Sequence, residues 1–194
     1  MTRRISNFTA PDRFIAGTIG EPGHRAFFLQ ARQGGSIVSV AAEKTQVAVL
    51  AANLAALLDT LAERGVEGIP GAVTDQQVDD EPLGEPLVEA FRVGAMTIGW
   101  DSASQMVVIQ AAALSDDDDE DDDGGTSLVE AVLANDDAVD GPDLIRVRLS
   151  PADIRAFVAR TARVIAGGRP LCPRCGQPLD PQGHICTRPT AYLN

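Results

Sequence analysis

The chain has 194 residues, 44% of them hydrophobic but only 4% aromatic, and a formal net charge of −12. That length suits one domain with a small appended module, and the core must be built from Ala, Val, Leu and Ile. The negative balance argues against general binding to nucleic acid or anionic membranes, which needs a cationic surface. The opening residues, MTRRISNFTAPDR, show no apolar segment after their basic residues, so no secretory signal is read there. No stretch reads as a bilayer span, and the expected location is cytoplasmic. Of the 16 Lys and Arg residues only Lys44 is a lysine; GC-rich codon usage is one reading of that bias, and a need for an amine rather than a guanidinium at this position is the other.

From the N-terminal end, FIAGTIG, AFFLQAR and SIVSVAAEK read as three strands. Their turns carry suitable residues: Pro22 and Gly23 in EPGH fit a type II turn, and QGGS supplies a second glycine turn. His24 sits in the first turn and reads as a surface histidine. Val47, Leu50, Ala51, Leu54, Leu57, Leu58 and Leu61 then recur at the spacing of one apolar helix face, and Gly65 is the stop. The strand-to-helix junction holds EKTQ, residues 43 to 46. Charges at a helix start are ordinary, but Lys44 with Arg25 and Gln30 is also a candidate anion site.

A connector rich in Pro, Gly, Asp and Glu follows, over residues 66–90. FRVGAMTIG, QMVVIQAAAL and DLIRVRLS then read as three more strands, with WDSAS in the first turn. TIG recurs at 18–20 and 97–99, and LQA at 29–31 has its counterpart in IQA at 109–111, which points to an internal repeat. An unbroken acidic run, Asp116 to Asp123, falls in the loop between the fifth and sixth of these strands and reads as a solvated insertion within residues 115–125. TSLVEAVLA, residues 126–134, fits a short helix. The second long helix is marked by Ser150 as N-cap, Pro151 and Asp153, carries Ile154, Phe157, Val158, Thr161 and Ile165 on one face, and ends at Gly167 and Gly168. Arg146, Arg148, Arg155, Arg160 and Arg163 read as a solvated basic face. Trp100 reads as a packing residue.

The expected fold class is therefore α+β: a duplicated βββα unit forming a mostly antiparallel sheet with two helices on one face, with a twofold axis as one way to relate the halves. Residues 1–168 make this domain, with repeat one at about 12–65 and repeat two at about 91–168. Residues 169–194 form a separate tail.

That tail holds all three cysteines and one of the two histidines. Cys172-x2-Cys175, then His184-x-Cys186, has the spacing of a tetrahedral Cys3His zinc site built as a knuckle-like hairpin, with His184 the ligand least fixed by the pattern. A disulfide framework fits an odd cysteine count poorly, and four prolines disfavour the helix a thioredoxin-like site needs. Four protein ligands make such a zinc structural, one per chain, since a catalytic zinc keeps a position open.

AGTIGEPGHRAFFLQAR, EKTQVAVLA and CPRCGQPLDPQGHICTR together resemble an actinobacterial family known only as a domain of unknown function (3090), with a zinc-ribbon-like C-terminal tail. The resemblance covers nearly the whole chain. It maps Arg25, Gln30, Glu43, Lys44, Gln46 and the four tail ligands onto this sequence. It implies no established activity. It also implies a gene neighbourhood with a phosphoglycerate-mutase-like phosphatase and a lipid-kinase-like protein. The acidic insertion and the ending TAYLN depart from the family pattern.

No glycine-rich phosphate loop, nucleophile elbow or HExxH pattern is present in the sequence. The reading favours a non-enzymatic binding or adaptor module with a protein partner. The alternative is an enzyme or ligand-binding protein for a phosphorylated small molecule, with Lys44 and Arg25 in the site. Oligomeric state is left open.

Overall fold

The computed structural model describes residues 3–21, 23–71, 73, 78–114 and 141–167. The acidic run, the helix expected at 126–134, and the tail with Cys172, Cys175, His184 and Cys186 lie outside the described residues. In chain order the elements are β1 (Ile5–Phe8), β2 (Arg13–Ile19), β3 (Ala26–Gln33), β4 (Ser36–Ala42), α1 (Lys44–Glu63), β5 (Glu89–Asp101), β6 (Met106–Ala113), β7 (Leu144–Leu149) and α2 (Pro151–Ala166). The class is mixed α+β, with one seven-stranded sheet ordered β1-β7-β6-β5-β4-β3-β2.

Two three-stranded antiparallel meanders, β2-β3-β4 and β5-β6-β7, lie side by side. They are joined by a parallel pairing of β4 with β5. The last strand of one meander thus meets the first strand of the next, running the same way. A twofold axis would bring like strands together instead, so the two halves are not related in that manner. The seventh strand, β1, lies outside the six strands that the sequence pattern predicts. It adds in parallel to β7, with Ile5 opposite Leu144.

The sheet is strongly curled. β1 and β2 are its two edges, yet only residues 9–12 connect them, a reach of at most about 18 Å between Phe8 and Arg13. Seven flat strands would hold those edges about 29 Å apart. The curl brings Phe14 of β2 and Leu149 of β7 to one cleft. α2 lies against β2 and against α1, over this seam. One core cluster holds Phe8, Phe14, Leu29, Val40, Ile109 and Val147 from the strands, with Leu54 and Leu58 of α1 and Ile154 and Phe157 of α2.

Local signals explain the elements. Glu21 C=O accepts from His24 N–H at 2.9 Å around Gly23 (φ 105°), the turn expected of EPGH. α1 ends in a Schellman motif: Val66 N–H donates to Leu61 C=O and Gly65 N–H to Ala62 C=O, both at 3.0 Å, with Gly65 at φ 77°. The apolar face of α1 buries Val47, Leu50, Ala51, Leu54, Leu58 and Leu61, while Leu57 is half-buried. By length and composition α1 is apolar enough to cross a membrane. The packing of that face into the core accounts for its apolarity, as in any central helix. α2 starts with a capping box, Ser150 Oγ accepting from Asp153 N–H at 3.2 Å.

β5 contains a bulge at Gly94. Before it, Val93 points into the core; after it, Met96, Ile98 and Trp100 pack there. One inserted residue flips the alternation, as bulges do. A Cβ on Gly94 would lie 2.8 Å from Leu114 Cα, so the close approach needs glycine.

Candidate functional site

The candidates taken from the sequence separate into two groups. Gln30 lies mid-strand on the sheet face away from the helices and is 3% exposed. Its Nε2 donates to Ser39 Oγ at 2.9 Å and to Gly84 C=O at 3.0 Å, and its Oε1 accepts from Gly84 N–H at 2.7 Å. An amide side chain thereby pairs with a backbone peptide as a neighbouring strand would. Its bonding capacity goes to holding the connector.

Glu43, Lys44 and Gln46 sit together at the start of α1. Glu43 is the N-cap; its N–H donates to Gln46 Oε1 at 2.8 Å. Gln46 Nε2 donates to the carbonyls of Val93 at 3.1 Å and Gly94 at 3.4 Å, tying the helix to the bulge of β5. Lys44 is exposed. Thr45 Oγ1 donates to the Glu43 carboxylate at 3.4 Å, so a negative charge already sits at this helix start. Arg25 is half-buried just before β3, with its Nε buried and unpartnered. A Cβ on Gly167 would lie 3.4 Å from its Nη1, which places the guanidinium at the C-terminal end of α2.

The connector is more ordered than its composition foretells. Residues 78–88, here called the strap, run from β2's edge across the sheet face that bears Gln30. Leu83 lies over Gly17, where a Cβ would meet it at 2.6 Å. Arg160 of α2 fixes the other side: Nε donates to Ala16 C=O at 2.9 Å, Nη2 to Glu81 C=O at 2.7 Å, and Nη1 to the carbonyl and carboxylate of Asp79. Arg13 forks onto the Asp79 carboxylate and reaches the carbonyls of Glu81 at 2.8 Å and Pro82 at 2.9 Å. The Arg13 hydrogen bond holds the Asp79 carboxyl below its ordinary range. The same bond raises Arg13, whereas burial lowers Arg160. Arg160 and Arg146, expected on a solvated face, are in fact buried, at 6% and 5% exposure. The sequence offers one hint for Arg160: it stands three residues after Phe157, beside the apolar stripe.

Two cavities flank these elements. A groove of about 330 Å³ runs between α1 and β5, lined by Thr45, Gln46, Val49, Leu50, Asn53, Gly94, Met96 and Ile98. None of these side chains is charged, and Val49 is 56% exposed. Val49 stands two residues after Val47, off the apolar stripe, and that is the one sequence signal for the groove. A smaller cleft of about 200 Å³ lies at the seam beneath α2. Among the described residues no group of three or more His, Cys, Asp or Glu side chains is placed to hold a metal.

No curated protein and no solved structure matches this chain. The profile of one family, described as Protein of unknown function (DUF3090), matches residues 6–186. With all seven strands, both helices, the strap and the four expected metal ligands inside or overlapping that match, the chain belongs to this family of uncharacterised proteins.

Proposed function

We propose that the chain is a binding module that receives an apolar segment of a protein partner in the groove between α1 and β5. The observation that carries this reading is the uncharged, partly apolar lining of that groove in a chain of net charge −12. Glu43 and Gln46 at the neighbouring junction, and Gln30 on the opposite sheet face, are instead engaged in fold hydrogen bonds. A photo-crosslinking residue at Val49 or Asn53 should give one discrete adduct in the native host, absent from the same residue placed at Glu63. Adducts of equal pattern from all three positions would sink the reading.

The tail completes the proposed module as a structural zinc site of Cys172, Cys175, His184 and Cys186, on the strength of their spacing alone. An internal duplication is part of the same reading. It is supported by the succession βββα, βββα and by Gln30 and Gln110, the central residues of LQA and IQA, both buried in the middle strand of their meanders.

A second reading, a phosphorylated small-molecule ligand at Lys44 and Arg25, is favoured by the unpartnered Nε of Arg25 and the exposed ammonium of Lys44. Thermal stabilisation by sugar phosphates or nucleotides, abolished by Lys44→Ala, would establish it in place of the first. The Glu43 carboxylate at the helix start weighs against it.

A further inference from the structure

We propose that the seam cleft is a separate binding site for a small organic cation with an apolar stem, of the alkylammonium or alkylguanidinium type. The cleft lies where the curled sheet closes, between Phe14 of β2 and Leu149 of β7, under Phe157 of α2. Phe14 and Phe157 stack with ring centroids 5.0 Å apart, so one wall is aromatic. Its volume of about 200 Å³ is that of about seven waters, enough for a short carbon chain and one charged head.

The charges around the cleft divide into spent and unspent. Arg13, Arg160 and Asp79 all line it, but they are committed to one another and to strap carbonyls. Each arginine has five N–H donors, and most of these already point at acceptors of the strap or β2. Asp12 and Asp153 also line the cleft, are exposed, and each use only one carboxylate oxygen. Asp12 Oδ2 accepts from Gly34 N–H at 2.6 Å, and Asp153 Oδ2 accepts from Ser150 Oγ at 2.6 Å. Their Oδ1 atoms are open to a ligand. An anion entering the cleft meets two carboxylates with spare lone pairs and two guanidiniums with little left to give. A cation meets those carboxylates with its charge, while its stem lies along the apolar lining of Phe14, Leu149, Ala156 and Phe157.

The test is titration of the full chain, by calorimetry and by amide chemical shifts, with agmatine, n-butylammonium and N-acetyl-lysine methylamide. Pentanol and pentanoate serve as neutral and anionic counterparts. The cations should bind at least tenfold more tightly than pentanol, pentanoate should not bind, and shifts should centre on Phe14, Leu149 and Phe157. The tighter of the free amine and the peptide-like lysine identifies the source of the cation. Ala156→Leu fills the cleft without removing a charge and should abolish binding. Asp12→Asn should weaken it up to about fivefold, the range of an exposed ion pair. Equal binding of all five probes, no binding of any cation, or cation binding unchanged by Ala156→Leu in a folded variant would overturn the proposal. These outcomes leave the groove reading untouched, because the cleft and the groove share no lining residue.

Discussion

Gln30 shows how one side chain can replace a strand. The strap belongs to no strand of the sheet, so its peptide groups have no ladder to join. Gln30 meets both polar groups of Gly84 with bonds of 2.7 and 3.0 Å and uses its second donor on Ser39. Gln30→Ala should therefore cost about 1–3 kcal/mol, since it strands partners that are shielded from water. Gln30→Met, which keeps the volume, should lose a similar amount. Urea unfolding checks both, and an unchanged midpoint would mean that the strap is held without Gln30. The sequence groups Gln30 with Lys44 and Arg25 as a candidate anion contact. Its real partner lies 54 residues away in a segment with no periodicity of its own, and nothing local announces the pairing.

Among the elements, those shaped by local chemistry were legible. The stripe of Val47, Leu50, Leu54, Leu58 and Leu61, the Ser150 cap and the Gly23 turn all follow from residues within one or two turns of chain. Three features were not. Among the described residues β1 pairs with β7 alone, more than a hundred residues later. The bulge at Gly94 shifts β5 from odd to even alternation, which no single period describes. The strap is fixed by Arg13 and Arg160, whose charge suggests solvent until the carbonyls they meet are known. Each of the last two supports a prediction. Gly94→Ala sets a Cβ against the Leu114 backbone, which cannot rotate away, so a loss of about 1–3 kcal/mol is expected by urea unfolding. A variant as stable as the parent would show that the β5–β6 pair can part at no cost. For the clasp that Arg13 and Arg160 form on Asp79 of the strap, the folded Asp79 carboxyl is lowered relative to the unfolded chain, chiefly by the Arg13 hydrogen bond. Its contribution is thus complete above the ordinary carboxylate range and fades as pH falls through the lowered folded value. Below about pH 4 the parent should lose stability more steeply than Asp79→Asn, which is already weakened at neutral pH. Parallel acid profiles for the two would exclude Asp79 from the clasp.

At the scale of the whole molecule, the described core is closed before the cysteine tail begins. Its members run from Phe8 to Phe157, with Val164 and Ile165 packed against it from the last turn of α2. Helix α2 ends with Gly167 N–H on Arg163 C=O at 2.8 Å, and Arg25 lies beside that end as a cation near the helix C-terminus, where its charge opposes the dipole. Among the described residues every strand thus pairs with another described strand, and both helices pack into the described core. Zinc binding, where it occurs, contributes folding free energy only to the segment that must order to make the site. Two consequences separate cleanly. Protein purified without chelator should carry about one zinc per chain, and Cys172→Ser with Cys175→Ser should remove it. That double variant should nonetheless keep the parent's cooperative unfolding midpoint for the sheet and helices, read by far-ultraviolet circular dichroism. A large fall in that midpoint on zinc loss would mean that the tail packs on the domain, and the most direct place to look would then be the Arg25 guanidinium, whose Nε lacks a partner. In that event Arg25→Met should lower the midpoint of the zinc-bound parent more than that of the zinc-free variant, a coupling that a double-mutant cycle measures directly.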